Sequence, residues 1–371
     1  MQRGGWSPMV GFVHLAQLRL RDFRNVSRLD ATFSPGFHVF LGRNAQGKTN
    51  LLEAIYLLAT LRSFRGVGGS HMIREGAKGY FVGATIEAQG RSEIKAYWSP
   101  RERKLSLNGA PVKRMSDYLG TLRAVVFCSE DVQLVKGPPR GRRRFLDLLL
   151  AQTQPGYLGL LLRYMQALKA RNALLKQPRV DEDQLAGFSA ELVRLGAPLI
   201  EARRAMIPQV SPLVQKSFQS VSGGVDQLSM DYQTTVDGDF AVALANSRAR
   251  ERTFRTTWVG PHRDDILLRV DGRSATSYTS EGQKRTLAIA LKMAQAECLS
   301  QLHGSPPVLL IDDVMGELDA HRRSGFLPLL NHAHQAGGQV FMTCTEENWP
   351  NELGRELFRW EVQQGVLRSS G

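Results

Sequence analysis

Gly42-Arg43-Asn44-Ala45-Gln46-Gly47-Lys48-Thr49 follows the short apolar run 37–41 and opens the apolar stretch 49–61, TNLLEAIYLLATL. The octet has the spacing GxxxxGK[ST]. Its glycines reach backbone conformations closed to larger side chains, so amide N–H groups along Arg43, Asn44, Ala45 and Gln46 can converge on phosphate oxygens. Lys48 is placed to reach the β- and γ-phosphates of a nucleotide, and the Thr49 hydroxyl to bind Mg²⁺. The helix that starts there adds its positive dipole end. The octet sits between a predicted strand and a predicted helix, the context its mechanism needs. It fixes a P-loop fold of mixed α/β class, with ATP and Mg²⁺ as the implied cofactors.

Working outward, residues 13–20 alternate loosely and read as a strand leading into Asp22-Phe23-Arg24-Asn25. Residues 80–127 read as strands, with a hairpin turn at Asn108-Gly109. The middle of the chain is helical. Leu161, Tyr164, Met165, Leu168, Asn172 and Leu175 fall on one face, and Leu185, Phe188, Leu192, Leu195, Leu199, Ala202 and Met206 repeat by threes and fours, the seam of a coiled coil. Pro198 inside that seam predicts a kink or break near Gly196. Three heptads of helix reach only ~30 Å, so the pattern predicts a short helical subdomain, not a long rod. Strand and helix alternate again from Thr257, with a helix over 282–301 and strands over 308–311 and 339–343. The expected layout is a head in two pieces, 1–140 and 257–371, split by an inserted helical, coiled-coil-like arm over 141–256.

Two further motifs narrow the chemistry. Val308-Leu309-Leu310-Ile311 predicts a buried strand, and Asp312 and Asp313 follow at its C-terminal end, where open α/β sheets bind ligands. Asp312 is placed to hold Mg²⁺ and Asp313 to polarise an attacking water. Ser280-Glu281-Gly282-Gln283-Lys284 opens the 282–301 helix. Its local role is a helix cap, compatible with an anion site at the helix N-terminus. Ahead of a Walker B strand it resembles the ABC signature, which caps the γ-phosphate held by an opposite subunit.

Asp22-Phe23-Arg24-Asn25, GRNAQGKTNLLEAIYLL, LRSFR (61–65), GPPRGRRRFLD (137–147), GPHRDDILL (260–268), SEGQKRTLAIALK (280–292) and IDDVMGELDAHRR (311–323) together resemble the RecF family of DNA repair proteins, in family order and over nearly the whole chain from about Met9. The resemblance implies an ABC-type, SMC-like ATPase head with an inserted arm, acting in the cytoplasm in DNA replication, recombinational repair and the SOS response. It implies an ATP-dependent homodimer on duplex, gapped or junction DNA, partnered by RecO and RecR, with weak, DNA-stimulated ATP hydrolysis. By matching positions it implies Lys48 and Thr49 at phosphate and metal, Asp312 at the metal, and Asp313 as the catalytic acid. Ser280, Gly282 and Gln283 match the signature, Asp319 the D-loop that reports across the dimer, and Arg24 and Asn25 the segment near the nucleotide. No histidine follows the strand ending at Thr343, so Thr343 or Thr345 stands at the switch position. Gln133 and Glu130 both fit the Q-loop.

Composition agrees with a soluble nucleic-acid-binding protein. There are 48 Lys+Arg against 35 Asp+Glu, a net charge of +13, which favours a polyanionic partner. Lys136, Arg140, Arg142, Arg143 and Arg144 form one basic cluster, and Arg248, Arg250, Arg252 and Arg255 another. Without interleaved aromatic residues they predict backbone-directed duplex contact, with Arg140, Arg142, Arg143 and Arg144 as the DNA candidates. The three cysteines lack the spacing of a zinc or redox pair. No apolar run is long enough for a membrane helix. Other classes fit less well: a transporter-type ATPase subunit, an SMC-type protein with a long coil, and a P-loop kinase, which has no use for the signature.

Overall fold

The fold is that of a computed structural model, which describes residues 13–88, 90–224, 226–345 and 357–370. The chain divides into two compact units. One comprises the chain up to Asp131, Lys216–Val225, and everything from Arg285 onward; the other comprises Val132–Gln215 and Asp226–Lys284. Two of the divisions fall inside the helices Glu182–Ser222 and Glu281–His303, and residues 257–284 group with the helical insertion.

The first unit contains two six-stranded sheets. One is antiparallel and runs Val26–Thr32, His14–Phe23, Tyr80–Glu87, Arg91–Trp98, Arg103–Leu107 and Ala110–Pro111. Its last hairpin turns at Asn108 and Gly109, both at positive φ (51° and 81°), the backbone that an Asn-Gly hairpin uses. The other sheet places Leu357–Gln363, Gly36–Leu41, Gln339–Cys344, Val308–Asp312 and Ala124–Cys128 side by side and parallel, with Val366–Ser370 antiparallel at one edge. Its central strands are buried along almost their whole length, which explains their near-continuous apolar runs. The helix Lys48–Thr60 is buried from Leu51 on, apolar on all sides there except for Glu53 and Thr60, as its lack of a polar stripe predicts.

The second unit is built on the helices Tyr157–Leu175 and Glu182–Ser222 and a three-stranded antiparallel sheet, Arg273–Ser274, Asp265–Val270 and Leu228–Gln233. The two helices meet at Tyr157 with Arg203, Tyr164 with Gly196, and Arg171 with Ser189. Each step is seven residues forward on one helix and seven back on the other, the register of an antiparallel coiled coil. The expected break near Gly196 is absent. Pro198, Pro208 and Pro212 all lie inside one continuous helix and all face outward, where water can take the carbonyls they leave unbonded. Gly196 instead permits close approach, since a Cβ there would lie 2.6 Å from Phe240 and 2.9 Å from Tyr164.

The seam also differs from its sequence reading. Met165 is 47% exposed, not packed, while two arginines occupy core positions. Arg171 is 0% exposed and makes a bidentate pair with Glu251, itself 0% exposed, and donates further to Thr257 and Ser189. Arg203 pairs with Asp147 and donates to the carbonyl oxygen of Pro261 at 2.6 Å. Buried ions this fully paired avoid the penalty that makes isolated ones intolerable.

Candidate nucleotide site

Three adjacent parallel strands aim their C-terminal ends at one place. Gly36–Leu41 delivers the P-loop, Gln339–Cys344 delivers Thr343, and Val308–Asp312 delivers the two aspartates. Gly42 and Gly47 have φ of 152° and 111°, and Ala45 also lies at positive φ. A Cβ on Gly42 would stand 2.4 Å from the Val362 carbonyl oxygen, so that position needs glycine for space as well as for φ, while one on Gly47, 2.7 Å from Asn25 Oδ1, would displace the Asn25 amide. Lys48 Nζ donates to the carbonyl oxygens of Gly42 (2.5 Å) and Arg43 (3.0 Å), spanning the loop. Burial lowers its pKa, and the nearby charges of Asp313 and Asp312 oppose that shift.

Thr49 Oγ1 donates to Asp312 Oδ1 at 2.8 Å, and Thr343 Oγ1 donates to the same oxygen at 2.9 Å. The Asp313 N–H donates to Thr343 Oγ1 at 3.0 Å, with Asp313 at φ 57°. Burial pushes the Asp312 carboxyl up, the two hydroxyl hydrogen bonds pull it down, and the charges of Glu130 and Asp313 raise it. Of the two Q-loop candidates, Glu130 is thus close enough to Asp312 to be felt there. Thr343 is buried at the strand end and Thr345 is exposed.

The motif around Arg24 serves the loop from behind. Arg24 makes a bidentate pair with Glu53, which is 0% exposed on the P-loop helix, and Ser63 of the LRSFR segment donates to the same carboxylate. Arg24 is therefore a brace for that helix, its charge spent on Glu53. Asn25 reaches the loop itself: its Nδ2 donates to the Gln46 carbonyl oxygen at 3.0 Å, and its Oδ1 accepts from Asn50 at 2.8 Å. A contact with no sequence signal completes the clamp. The turn at Gln364 and Gly365 donates its backbone N–H groups to the Gln46 side chain and carbonyl, both at 2.8 Å.

Ser280 caps the helix Glu281–His303 through a reciprocal box. The Gln283 N–H donates to Ser280 Oγ at 3.2 Å, and the Ser280 N–H to Gln283 Oε1 at 2.9 Å. Gly282 lies between them in the first turn, half-buried. Asp319 caps Ala320–Gln335, accepting the Arg322 N–H at 2.8 Å, while Arg322 Nε reaches Thr286 Oγ1 at 2.9 Å.

The basic clusters need correction. Arg142 is only 8% exposed and makes a bidentate pair with Asp265 at 2.8 and 2.9 Å, so its charge is spent inside the fold. Arg143 donates to the Asp264 carbonyl oxygen, Lys136 pairs with Glu281, and Arg144 is half-buried and partnered; Arg140 is exposed. In the second cluster Arg248 and Arg252 share Glu182, and Arg250 lies 4.8 Å over the Trp258 ring, on which the exposed Phe254 stacks. The expectation of no aromatic company fails there: Phe254 stands between Arg252 and Arg255 in the sequence itself, and Trp258 follows three residues after Arg255.

A parallel sheet carrying a P-loop, a Walker B strand and a capped signature helix defines an ATPase head of the ABC and SMC class. The sequence profile of the RecF/RecN/SMC N-terminal domain matches residues 14–367. Among curated relatives, DNA replication and repair protein RecF of Symbiobacterium thermophilum is 40% identical over 97% of this chain and 100% of its own length. That of Synechococcus sp. (strain JA-3-3Ab) is 40% identical over 90% of this chain and 91% of its own. The solved structure of the recombination mediator protein RecF-ATP in the RecFOR pathway superposes with a TM-score of 0.89 at 29% identity, covering 98% of this chain and 99% of that one. A Pyrococcus furiosus Smc head agrees in fold alone, with a TM-score of 0.56 at 16% identity over 96% of both chains. The chain belongs to the RecF family.

Proposed function

We propose that this protein is an ATP-dependent DNA-binding protein of replication and recombinational repair, working in the cytoplasm. It dimerises with ATP on duplex, gapped or junction DNA, helps RecO and RecR load recombinase, and is reset by slow, DNA-stimulated ATP hydrolysis. The observation that carries the reading is the convergence of Thr49 and Thr343 on Asp312 beside the P-loop. A hydroxyl and a carboxylate are hard oxygen donors, so Thr49 and Asp312 would suit and hold Mg²⁺. When bound, the ion neutralises charge on the transferred phosphoryl group. Lys48 then turns from the carbonyls of Gly42 and Arg43 to the β- and γ-phosphates. Asp313, exposed at the strand end, orients the attacking water and accepts its proton. Ser280, Gly282 and Gln283 cap the partner's nucleotide, and Asp319 responds to it. Among the described residues no helix is long and apolar enough to cross a membrane.

The test is ATP turnover with and without gapped duplex, alongside Lys48→Ala. Stimulation by DNA, together with loss of ATP binding in a folded Lys48→Ala protein, is the expected result. Normal ATP affinity in that variant would sink the P-loop assignment, and DNA-indifferent turnover would sink the repair reading.

A further inference from the structure

We propose that Thr343 is a positioning residue whose single hydroxyl sets both carboxylates of the Walker B strand end at once, Asp312 for the metal and Asp313 for the attacking water. The proposal rests on the ATPase reading above and deepens it. Thr343 is 2% exposed and stands in register beside Asp312 on the neighbouring parallel strand. Its hydroxyl carries one proton and two lone pairs. The Asp313 amide, 3.0 Å away, can only donate, so the Thr343 oxygen accepts there. The Thr343 proton is then committed to Asp312 Oδ1, 2.9 Å away, which as a carboxylate can only accept. The direction of both bonds is fixed by the chemistry of the partners, with no alternative arrangement.

Each bond has a consequence. Asp313 lies in the left-handed region, at φ 57°, a backbone conformation that residues bearing a side chain adopt uncommonly and that local hydrogen bonds must support. The amide bond to Thr343 holds it there, and that backbone conformation decides the direction in which the Asp313 side chain leaves the strand. On Asp312, the hydroxyls of Thr49 and Thr343 converge on Oδ1 and fix the orientation of the carboxylate that would hold the metal. Thr49 is itself assigned to the metal, so Thr343 is the hydroxyl whose only task is orientation. In ABC transporters a histidine occupies the switch position; here a short, buried hydroxyl does the work from behind the aspartates. Neither a longer polar side chain nor an apolar one of the same shape can accept from one aspartate and donate to the other in this space.

The experiment compares Thr343→Val, which keeps the shape and removes the hydroxyl, with Thr343→Ser, which keeps the hydroxyl. In the full-length Val variant, ATP affinity in EDTA should stay within about threefold of wild type, because the P-loop is untouched. Its Mg²⁺ requirement should rise, and kcat at saturating Mg²⁺-ATP should fall by about tenfold or more, the worth of a hydrogen bond to a charged group. The Ser variant should recover both quantities to within about threefold of wild type. Thr343→Ala, smaller and free of overpacking, replaces the Val variant should that one fail to fold, and should show the same two losses. A folded Val or Ala variant with wild-type Mg²⁺ dependence and kcat would overturn the proposal. So would a Ser variant as impaired as Val. A wild-type protein that bound no ATP would instead overturn the ATPase reading on which the proposal stands.

Discussion

Acidification should weaken the unit that carries the P-loop, and His38 sets the pH range. His38 is 1% exposed on the strand Gly36–Leu41, stacked on Phe341 at 4.9 Å and Phe358 at 4.8 Å. Its Nε2 lies 2.7 Å from the Ser34 carbonyl oxygen and therefore carries the proton, while Nδ1 accepts the Trp360 indole N–H at 3.1 Å. That neutral tautomer satisfies both nitrogens, and a second proton on Nδ1 would face the indole donor. Burial lowers the pKa from 6.5 to about 4, partly opposed by the Ser34 hydrogen bond. The unfolded chain takes up a proton near pH 6.5 that the folded protein refuses until about pH 4. Stability is therefore unaffected by this group above about pH 7 and is lost as pH falls from 6.5 towards 4. At 1.36 kcal/mol per pKa unit the full loss is about 3 kcal/mol, of which about 2 kcal/mol is reached by pH 5. Urea unfolding at pH 8 and pH 5, followed by tryptophan fluorescence, measures it. His38→Gln cannot take up a proton, so its stability should fall less between the two pH values, by about 2 kcal/mol. The same pH dependence in both proteins would refute the assignment.

Replacing the exposed carboxylate in Asp313→Asn should preserve Mg²⁺-ATP binding and cut turnover by ~10²–10⁴-fold, the usual worth of a general base. Turnover within about threefold of wild type would place the base elsewhere. Arg142→Met should destabilise the helical unit by about 3–5 kcal/mol, because Asp265 is left charged and poorly solvated. Thermal melting of that variant checks it, and an unchanged melting temperature would contradict the structural role. Arg140→Glu, on the surface, should leave melting unchanged and flatten the slope of log K against log salt for duplex binding. An unchanged slope would show that Arg140 faces away from DNA.

What was legible in the sequence was local. The P-loop spacing, the apolar Walker B strand and the Ser280–Gln283 box each announce themselves within a few residues, because the backbone geometry they require is set by neighbours in the chain. The Asn108-Gly109 turn was legible for the same reason. What was hidden is contact at a distance. Nothing near Arg24 says that its partner is Glu53, and nothing near Gln46 points to the turn at Gln364 and Gly365. Charge clusters misled because a run of arginines looks alike whether it faces solvent or, like Arg142, closes on a buried aspartate. Helical periodicity misled at Arg171 and Arg203, since a heptad seam counts apolar residues and cannot see a guanidinium whose partners come from elsewhere. Pro198 misled in the opposite direction: a proline on the outer face of a supported helix need not break it.

The central claim is that the signature of one subunit completes the nucleotide site of another. Sedimentation of the full-length protein with and without Mg²⁺-ATP, for wild type and for Ser280→Arg, tests it most directly. The substitution fills the anion site with a side chain and removes the Ser280 hydroxyl that caps the helix, while leaving the P-loop intact. Wild type should shift from monomer to dimer on adding ATP. Ser280→Arg should bind ATP with near-normal affinity and remain monomeric, and mixing it with Lys48→Ala should restore ATP turnover above the sum of the two, through one interface that pairs an intact P-loop with an intact signature. A Ser280→Arg protein that dimerises with ATP as readily as wild type would contradict the shared site.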